Sequence, residues 1–305
     1  MSFAYDVKAE LCRTEPKACC ALAECYGVLL YCNAFSPSQI RVVTEHLPFA
    51  RRLARQFWEV FGVRFAGVEP DGTGLEEEKP GKLILTIRDP AALQTIFAAF
   101  GYNAATSLSL HVNLGVLEED CCKAAFLRGA FLAGGSVIDP GKRYHWELMT
   151  PHLTAGREVH ALLLDMGFSP KTIQRTGGSV LYFKQSETIE DIITLMGAPV
   201  CAMNMMTVKL EKEVRNDVNR AVNCEIANVE KTVAAAQTQV DAIRALGERM
   251  NGLPDKLQQT ARLRLEHPEA TLQEMAELAG VSKSAMNHRL RKLIDLAAEQ
   301  SAAEA

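Results

Sequence analysis

Apolar and polar residues recur on two periods through the first two thirds of the chain, and mainly on one thereafter. "IRVVTE" (40–45), "KLILTI" (82–87), "YHWELMT" (144–150) and "VLYFK" (180–184) are β-rich runs, and such runs predict strands. "PFARRLARQFWEVFG" (48–62) and "LTAGREVHALLLDMG" (153–167) follow helical spacing and close on glycine. "VRFAGV" (63–68) reads as a further strand, joined to "KLILTI" by the turn-rich loop "EPDGTGLEEEKPG" (69–81). From Thr207 to Gly247 the pattern is helical, with Val214, Val218 and Val222 at i, i+4 spacing. After the "NGLP" break at 251–254 a helical unit runs to about Ala298, and the final "EQSAAEA" predicts a frayed end.

These elements repeat. "CCALAECYGVLLYCNAF" (19–35) laid on "CCKAAFLRGAFLAGGSV" (121–137) agrees without a gap at both cysteines, Ala23/Ala125, Gly27/Gly129 and Leu30/Leu132. "LILTIRDPAALQTIFAAFG" (83–101) matches "VLYFKQSETIEDIITLMG" (180–197) in pattern: strand, break, amphipathic helix, glycine. Asp89-Pro90 supplies a cap and a first-turn proline to one helix, and Ser186 the cap to the other. Each half therefore predicts helix, strands, helix, strand pair, helix. The fold class is α+β: a pseudo-two-fold domain over 1–198, with repeats at about 1–104 and 105–198, followed by an all-α helix–turn–helix domain. A helical connector spans 199–252 and the terminal domain 253–305.

Glycine inside a helix costs about 1 kcal/mol relative to alanine, so Gly27 and Gly129 need a reason. Close approach of two helix backbones at the pseudo-two-fold axis supplies one. "LRGAFLAGG" (127–135) resembles the LAGLIDADG motif of homing endonucleases through Leu127, Gly129, Ala133 and Gly135. The resemblance implies paired motif helices, and a metal-binding acid just before the last motif glycine. Gly134 holds that position here, and Cys32 its counterpart in the first copy. Neither supplies the oxygen ligands that Mg²⁺ needs. The acids that could stand in are Glu24, Asp139 and Glu147. "GGSVIDPG" (134–141) lacks a Walker lysine and reads as a tight turn after the helix.

"TLQEMAELAGVSKSAMNHRLRKLIDLAAE" (271–299) carries the strongest signal. Thr271 and Glu274 form a capping box, Gly280-Val281 a tight turn, and Ser282 the cap of a second helix with Met286, Leu290, Leu293 and Ala297 inward. Such a hairpin meets the requirements of a DNA-binding helix–turn–helix, with "PDKLQQTARLRLEHPEA" (254–270) as its supporting helix. Ser284, His288, Arg291 and Lys292 then face outward with Asn287 beside them, Lys283 at the start and Arg289 on the flank. Residues 282–294 hold four cations and no acid, in a chain of net charge −4. Arginine and asparagine can read base edges in the major groove, and lysine and helix N-terminal amides suit phosphates. Upstream, "RNDVNRAVNCEIANVEKT" (215–232) offers a secondary contact through Arg215, Asn219, Arg220 and Asn223, or a solvated connector face. Its charges balance, five against five over 208–231, so electrostatics do not favour DNA there.

Composition adds little beyond exclusions. The apolar content of 48% suits a globular core, and no apolar run approaches the roughly 20 residues of a membrane span. "MSFAYDVKAELCRTE" has no basic then apolar leader, which predicts a cytoplasmic chain without a signal peptide; the DNA-binding reading adds association with the nucleoid. Nine cysteines, an odd number with no CxxC pair, read as small apolar fillers in a reducing compartment. No metal site, cofactor or catalytic residue is expected.

The order of "FAYDVKAEL", "CCKAAFLRGAFLAGGSVIDP", "RNDVNRAVNCEIANVEKT" and "HPEATLQEMAELAGVSKSAMNHRLRKL" resembles the WhiA family over nearly the whole chain. The resemblance implies a degenerate LAGLIDADG domain tethered to a helix–turn–helix. It also implies a non-enzymatic role in transcription, cell division, chromosome segregation or sporulation. The implied partners are double-stranded DNA and RNA polymerase or its sigma factor, with no membrane. Two other readings compete: a divalent-metal endonuclease using alternative acids, and a protein-interaction module with incidental DNA affinity.

Overall fold

The computed structural model describes residues 2–75, 77–79, 81–103 and 109–304. The expected division between the repeats, at 104/105, lies outside them. The chain forms two compact units, residues 1–211 and 212–305.

The first unit opens with α1 (Phe3–Leu11) and then runs twice through the same series. The first copy is α2 (Ala18–Tyr31), β1 (Ala34–Ser36), β2 (Gln39–Thr44), α3 (Leu47–Phe61), β3 (Glu77–Lys79), β4 (Lys82–Ile87) and α4 (Pro90–Ala99). The second is α5 (Asp120–Gly134), β5 (Gly135–Val137), β6 (Trp146–Thr150), α6 (Leu153–Asp165), β7 (Lys171–Arg175), β8 (Gly178–Phe183) and α7 (Ser186–Met196). Each copy folds an antiparallel sheet of the same order, β1-β2-β4-β3 and β5-β6-β8-β7. The central pairs place Val42 opposite Leu85 and Leu148 opposite Leu181, all four buried.

The parallel pair α2 and α5 forms the axis, and its closeness is set by two missing methyl groups. A Cβ on Gly27 would lie 2.0 Å from the Phe126 carbonyl oxygen, and one on Gly129 would lie 2.0 Å from that of Glu24. The sequence-level cost of glycine is therefore offset by direct backbone packing. One core runs continuously through both copies, and includes Ala23, Leu30, Ala125, Phe131 and Trp146.

Several expectations need correction. "VRFAGV" is not a strand: Gly67 takes a left-handed φ of 70° and the Val68 N–H turns back to the Phe65 carbonyl. That turn lets Val63, Phe65 and Val68 plug the core, and β3 falls inside the expected loop. Ser186 is the first helical residue rather than a cap, preceded by Gln185, which makes no side-chain cap bond. Asp89, by contrast, does cap α4, accepting from the Ala92 N–H at 2.8 Å. "GGSVIDPG" enters a strand directly, because Gly135–Val137 pair with Trp146–Leu148, and turns only after Asp139.

The helix α8 (Pro199–Leu246) starts where both Glu10 carboxylate oxygens accept from the Val200 and Cys201 N–H groups. Cys201, Ala202 and Met205 belong to the core of the first unit. In the second unit Ile243 and Leu246 pack with Ala261, Leu293 and Ala297. A 3-10 turn (Gly247–Gly252) leads to α9 (Asp255–Glu266), α10 (Leu272–Leu278) and α11 (Lys283–Glu304). The end expected to fray is instead helical to Glu304, with the Ser301 hydroxyl donating to the Ala297 carbonyl.

Gly129→Ala is expected to destabilise the chain by at least about 2 kcal/mol, because a backbone oxygen cannot yield as a side chain does. Gly252→Ala, with open space around it, should stay within about 0.5 kcal/mol of the parent. Denaturant unfolding of both variants checks this.

Candidate nucleic-acid interface

The second unit builds its exposed face from a short helical hairpin. Thr271 accepts from the Glu274 N–H while the Glu274 carboxylate accepts from the Thr271 N–H at 2.7 Å, so α10 begins with a reciprocal cap. Gly280 adopts φ 64°, and the Val281 N–H bonds the Ala276 carbonyl at 2.9 Å. Ser282 then caps α11, accepting from the Ala285 N–H at 3.2 Å. Met275, Ala276, Met286 and Leu290 close the angle between the helices, with Val281 packed against them.

This packing fixes the rotation of α11. Lys283, Ser284, His288, Arg291 and Lys292 are exposed, and Asn287 and Arg289 are half-buried at the margin. Among the described residues, no ion pair engages Lys283, Arg289, Arg291 or Lys292. A row of unneutralised cations on a helix whose opposite side is buried can approach a polyanion without first breaking internal bonds.

One residue of this unit escaped the sequence reading. Arg264 is buried, and its guanidinium donates to the carbonyls of His267, Pro268 and Ala270, the last at 2.7 Å. It thereby ties the end of α9 to the loop entering α10, at a cost of burial that lowers its pKa. The signal was present: Arg264 follows Ala261 by three residues on the inward face.

Along α8 the secondary candidates Arg215, Asn219, Arg220 and Asn223 are all exposed, and Arg220 meets Asp217 at 3.6 Å. Val214, Val218, Val222, Ile226, Val229 and Val233 are exposed as well.

The first unit presents a different chemistry where a LAGLIDADG enzyme would hold metal. A Cβ on Gly134 would lie 2.5 Å from the Met149 carbonyl oxygen and 3.0 Å from that of Tyr31, so no acid fits there. Cys32 is buried, its thiol donating to Leu29 and Ala34 carbonyls and pushed up by that burial to about 12. In the last turn of α5 stands a cation instead: the Lys8 ammonium donates to the Leu132 carbonyl at 3.1 Å. Burial lowers its pKa to about 8.

The three alternative acids are engaged elsewhere. Glu24 is fully buried and clamped by Arg52 at 2.6 and 2.9 Å and by Arg128 at 2.8 Å. Burial alone would raise the Glu24 carboxyl; the hydrogen bonds and charges of Arg52 and Arg128 outweigh it and hold the carboxyl below its ordinary value. Glu147 bonds His145 and Arg175. Asp139 accepts from the Gly141 N–H in a turn. Glu24 and Arg128 were visible as the only charges inside the apolar segments 20–31 and 124–134, but their pairing needed the three-dimensional fold.

The cysteines correct a further expectation. Cys19, Cys20, Cys121 and Cys122 are not scattered fillers: their sulfurs lie within 4.8 Å of one another. The reading for isolated fillers relied on the lack of CxxC spacing, and the two doublets meet only through the repeat.

Together these features define a class: a duplicated LAGLIDADG-type scaffold without its motif acids, joined to a helix–turn–helix unit with an exposed cationic helix. Comparison with known proteins agrees. The WhiA LAGLIDADG-like domain matches residues 123–215 and the WhiA C-terminal HTH domain matches residues 218–297. The chain is 37% identical to a protein of Ruminiclostridium cellulolyticum named probable cell division protein WhiA, covering 97% of each. Proteins of the same name from Heliobacterium modesticaldum and Geobacillus thermodenitrificans are 36% and 35% identical over 97% of this chain and 96% and 95% of theirs. The chain belongs to the WhiA family. Its fold is similar to the full-length DUF199/WhiA crystal structure from Thermotoga maritima, with a TM-score of 0.59 and 20% identity over 98% of this chain and 99% of that one. The helix–turn–helix domain is consistent with DNA binding. No helix among the described residues is long and apolar enough to cross a membrane.

Glu24→Gln should lower stability by about 3–5 kcal/mol near neutral pH, since it leaves two buried guanidinium groups without their anion. The native carboxyl is depressed, so its contribution is full above the unfolded value of about 4.3 and is lost as pH falls through the folded value. The gap between parent and variant should therefore narrow only below that pH. Denaturant melts of both across the acid range measure it.

Proposed function

We propose that the chain is a non-enzymatic, sequence-specific DNA-binding protein that regulates transcription in connection with cell division, chromosome segregation or sporulation. The observation that carries this reading is the unpaired cationic face of α11, held outward by a capped and plugged helical hairpin. In this proposal α11 enters the major groove of double-stranded DNA. Asn287, Arg289 and Arg291 address base edges, while Lys283, Ser284, Lys292 and the first amides of α11 hold phosphates. His288 lies on the same exposed face. Arg215, Asn219, Arg220 and Asn223 form a secondary contact with nucleic acid or protein.

The division of labour follows residues 1–198 as scaffold, 199–252 as connector and 253–305 as reader. The scaffold positions the reader or meets a protein partner such as RNA polymerase or its sigma factor, at the nucleoid. A non-cleaving scaffold is favoured by the tips of α2 and α5, where Cys32, Gly134 and the half-buried Lys8 offer no carboxylate. Association with cell division follows the names of the relatives.

If about four phosphates are neutralised, log affinity should fall with log salt at a slope of about −3 to −4. Arg291→Ala with Lys292→Ala should weaken binding by at least about tenfold and flatten that slope. Fluorescence anisotropy on duplexes recovered by genome-wide mapping of bound sites reads both, with a Mg²⁺ and Mn²⁺ incubation of the same duplexes alongside. Intact strands are expected. An unchanged affinity in the double variant would refute the groove assignment, and cut strands would refute the non-enzymatic reading.

A further inference from the structure

Two cysteine doublets, about a hundred residues apart, open the two axis helices. Cys19 and Cys20 lie in the first turn of α2, and Cys121 and Cys122 in the first turn of α5. Because these helices run parallel, their N-terminal ends meet at one end of the axis and their acid-less tips at the other. The pairing of Gly27 with Gly129 sets the helix separation, and that separation brings all four sulfurs within 4.8 Å of one another. The Sγ atoms of Cys19 and Cys20 are 3.9 Å apart, and all four cysteines are free of disulfides.

We propose that Cys19, Cys20, Cys121 and Cys122 form a four-thiolate site for a single tetrahedral zinc-class cation that joins the two repeats across the pseudo-two-fold axis. The dimensions fit one ion: a tetrahedron of sulfurs about 2.3 Å from zinc has edges of about 3.8 Å. They leave no room for an iron–sulfur cluster among the sulfurs, and thiolates do not suit Mg²⁺ or Ca²⁺. The surroundings suit a closed structural site with an entry path, since Cys20 and Cys122 are buried, Cys121 is half-buried and Cys19 is exposed.

Electrostatics point the same way. Both helix N-termini direct the positive ends of their dipoles toward this end of the pair, which favours thiolate over thiol. Binding one Zn²⁺ to four thiolates leaves a net charge of −2, and every S–H that ionises releases its proton to solvent. No redox change is involved.

Each doublet alone lacks the spacing of a local zinc motif. In this arrangement each repeat supplies two ligands, so the binding motif is distributed by duplication instead of by a local loop. The consequence is a cross-link between residues far apart in sequence, at the end of the axis opposite the missing acids.

The test uses the full-length chain, purified with reductant and without added chelator. Metal content is read by elemental mass spectrometry, and the site is then stripped and titrated with Co²⁺. The expected result is one zinc per chain, and one Co²⁺ producing sulfur-to-metal charge-transfer absorption with intense tetrahedral d–d bands. Cys19→Ser and Cys122→Ser should each weaken Co²⁺ binding by more than the roughly 10–100-fold that loss of an outer-shell partner costs. Cys224→Ser, exposed and remote in sequence, should leave the titration unchanged. Cys19 is exposed, so Cys19→Ser should keep the parent far-UV circular dichroism and remain a fair test. Three results would each overturn the site: substoichiometric metal with no charge-transfer band, Co²⁺ spectra unaltered in both serine variants, or a disulfide between the doublets in the reduced preparation.

Discussion

Two helix backbones in direct contact organise the first unit. Hydrogen is the only side chain that Gly27 and Gly129 can carry there, because each faces a carbonyl oxygen of the partner helix at 2.0 Å from where a methyl would stand. Once that contact is made, the rest is constrained. The two sheets take equivalent positions on either side, Glu24 is forced into the interior, and the helix ends converge at both extremities. The interior acid then has to be neutralised. Arg52 from α3 and Arg128 from α5 do so with two short bonds and one, at the expense of desolvating three charged groups.

The same contact explains why the scaffold no longer resembles a metal-dependent nuclease at its tips. Where a carboxylate would be needed, Gly134 is enclosed by the Met149 and Tyr31 carbonyls, and Cys32 keeps its proton in a buried setting. Acids survive nearby in the sequence, but Glu24, Asp139 and Glu147 are each committed to arginines, a histidine or a turn. The cationic chemistry resides in the second unit instead. There the hairpin spends its apolar residues on Met275, Met286 and Leu290 and leaves the opposite side of α11 to solvent.

Much of this could be read from the sequence, and the exceptions share a cause. Repeats, capping residues and the apolar stripe of α11 are local signals, so the duplicated helix–sheet plan, the Asp89 cap and the Thr271/Glu274 box are legible in order. Glycine at i and at its repeat equivalent even foretells the close helix pair. What was not legible depends on distant partners. The four cysteines needed both copies in register before they met. "VRFAGV" alternates like a strand, yet one left-handed glycine turns it into a core plug. The valine row of α8 keeps the helical period that its i, i+4 spacing predicts, and is exposed along its length.

Hydrogen–deuterium exchange of the full-length chain, with and without saturating duplex DNA recovered from its bound sites, addresses the central claim most directly. The account predicts new protection concentrated in residues 282–294 and the turn before them, with little change at the tips of α2 and α5 around Cys32 and Gly134. Protection centred on those tips, with α11 exchanging as in the free chain, would contradict it.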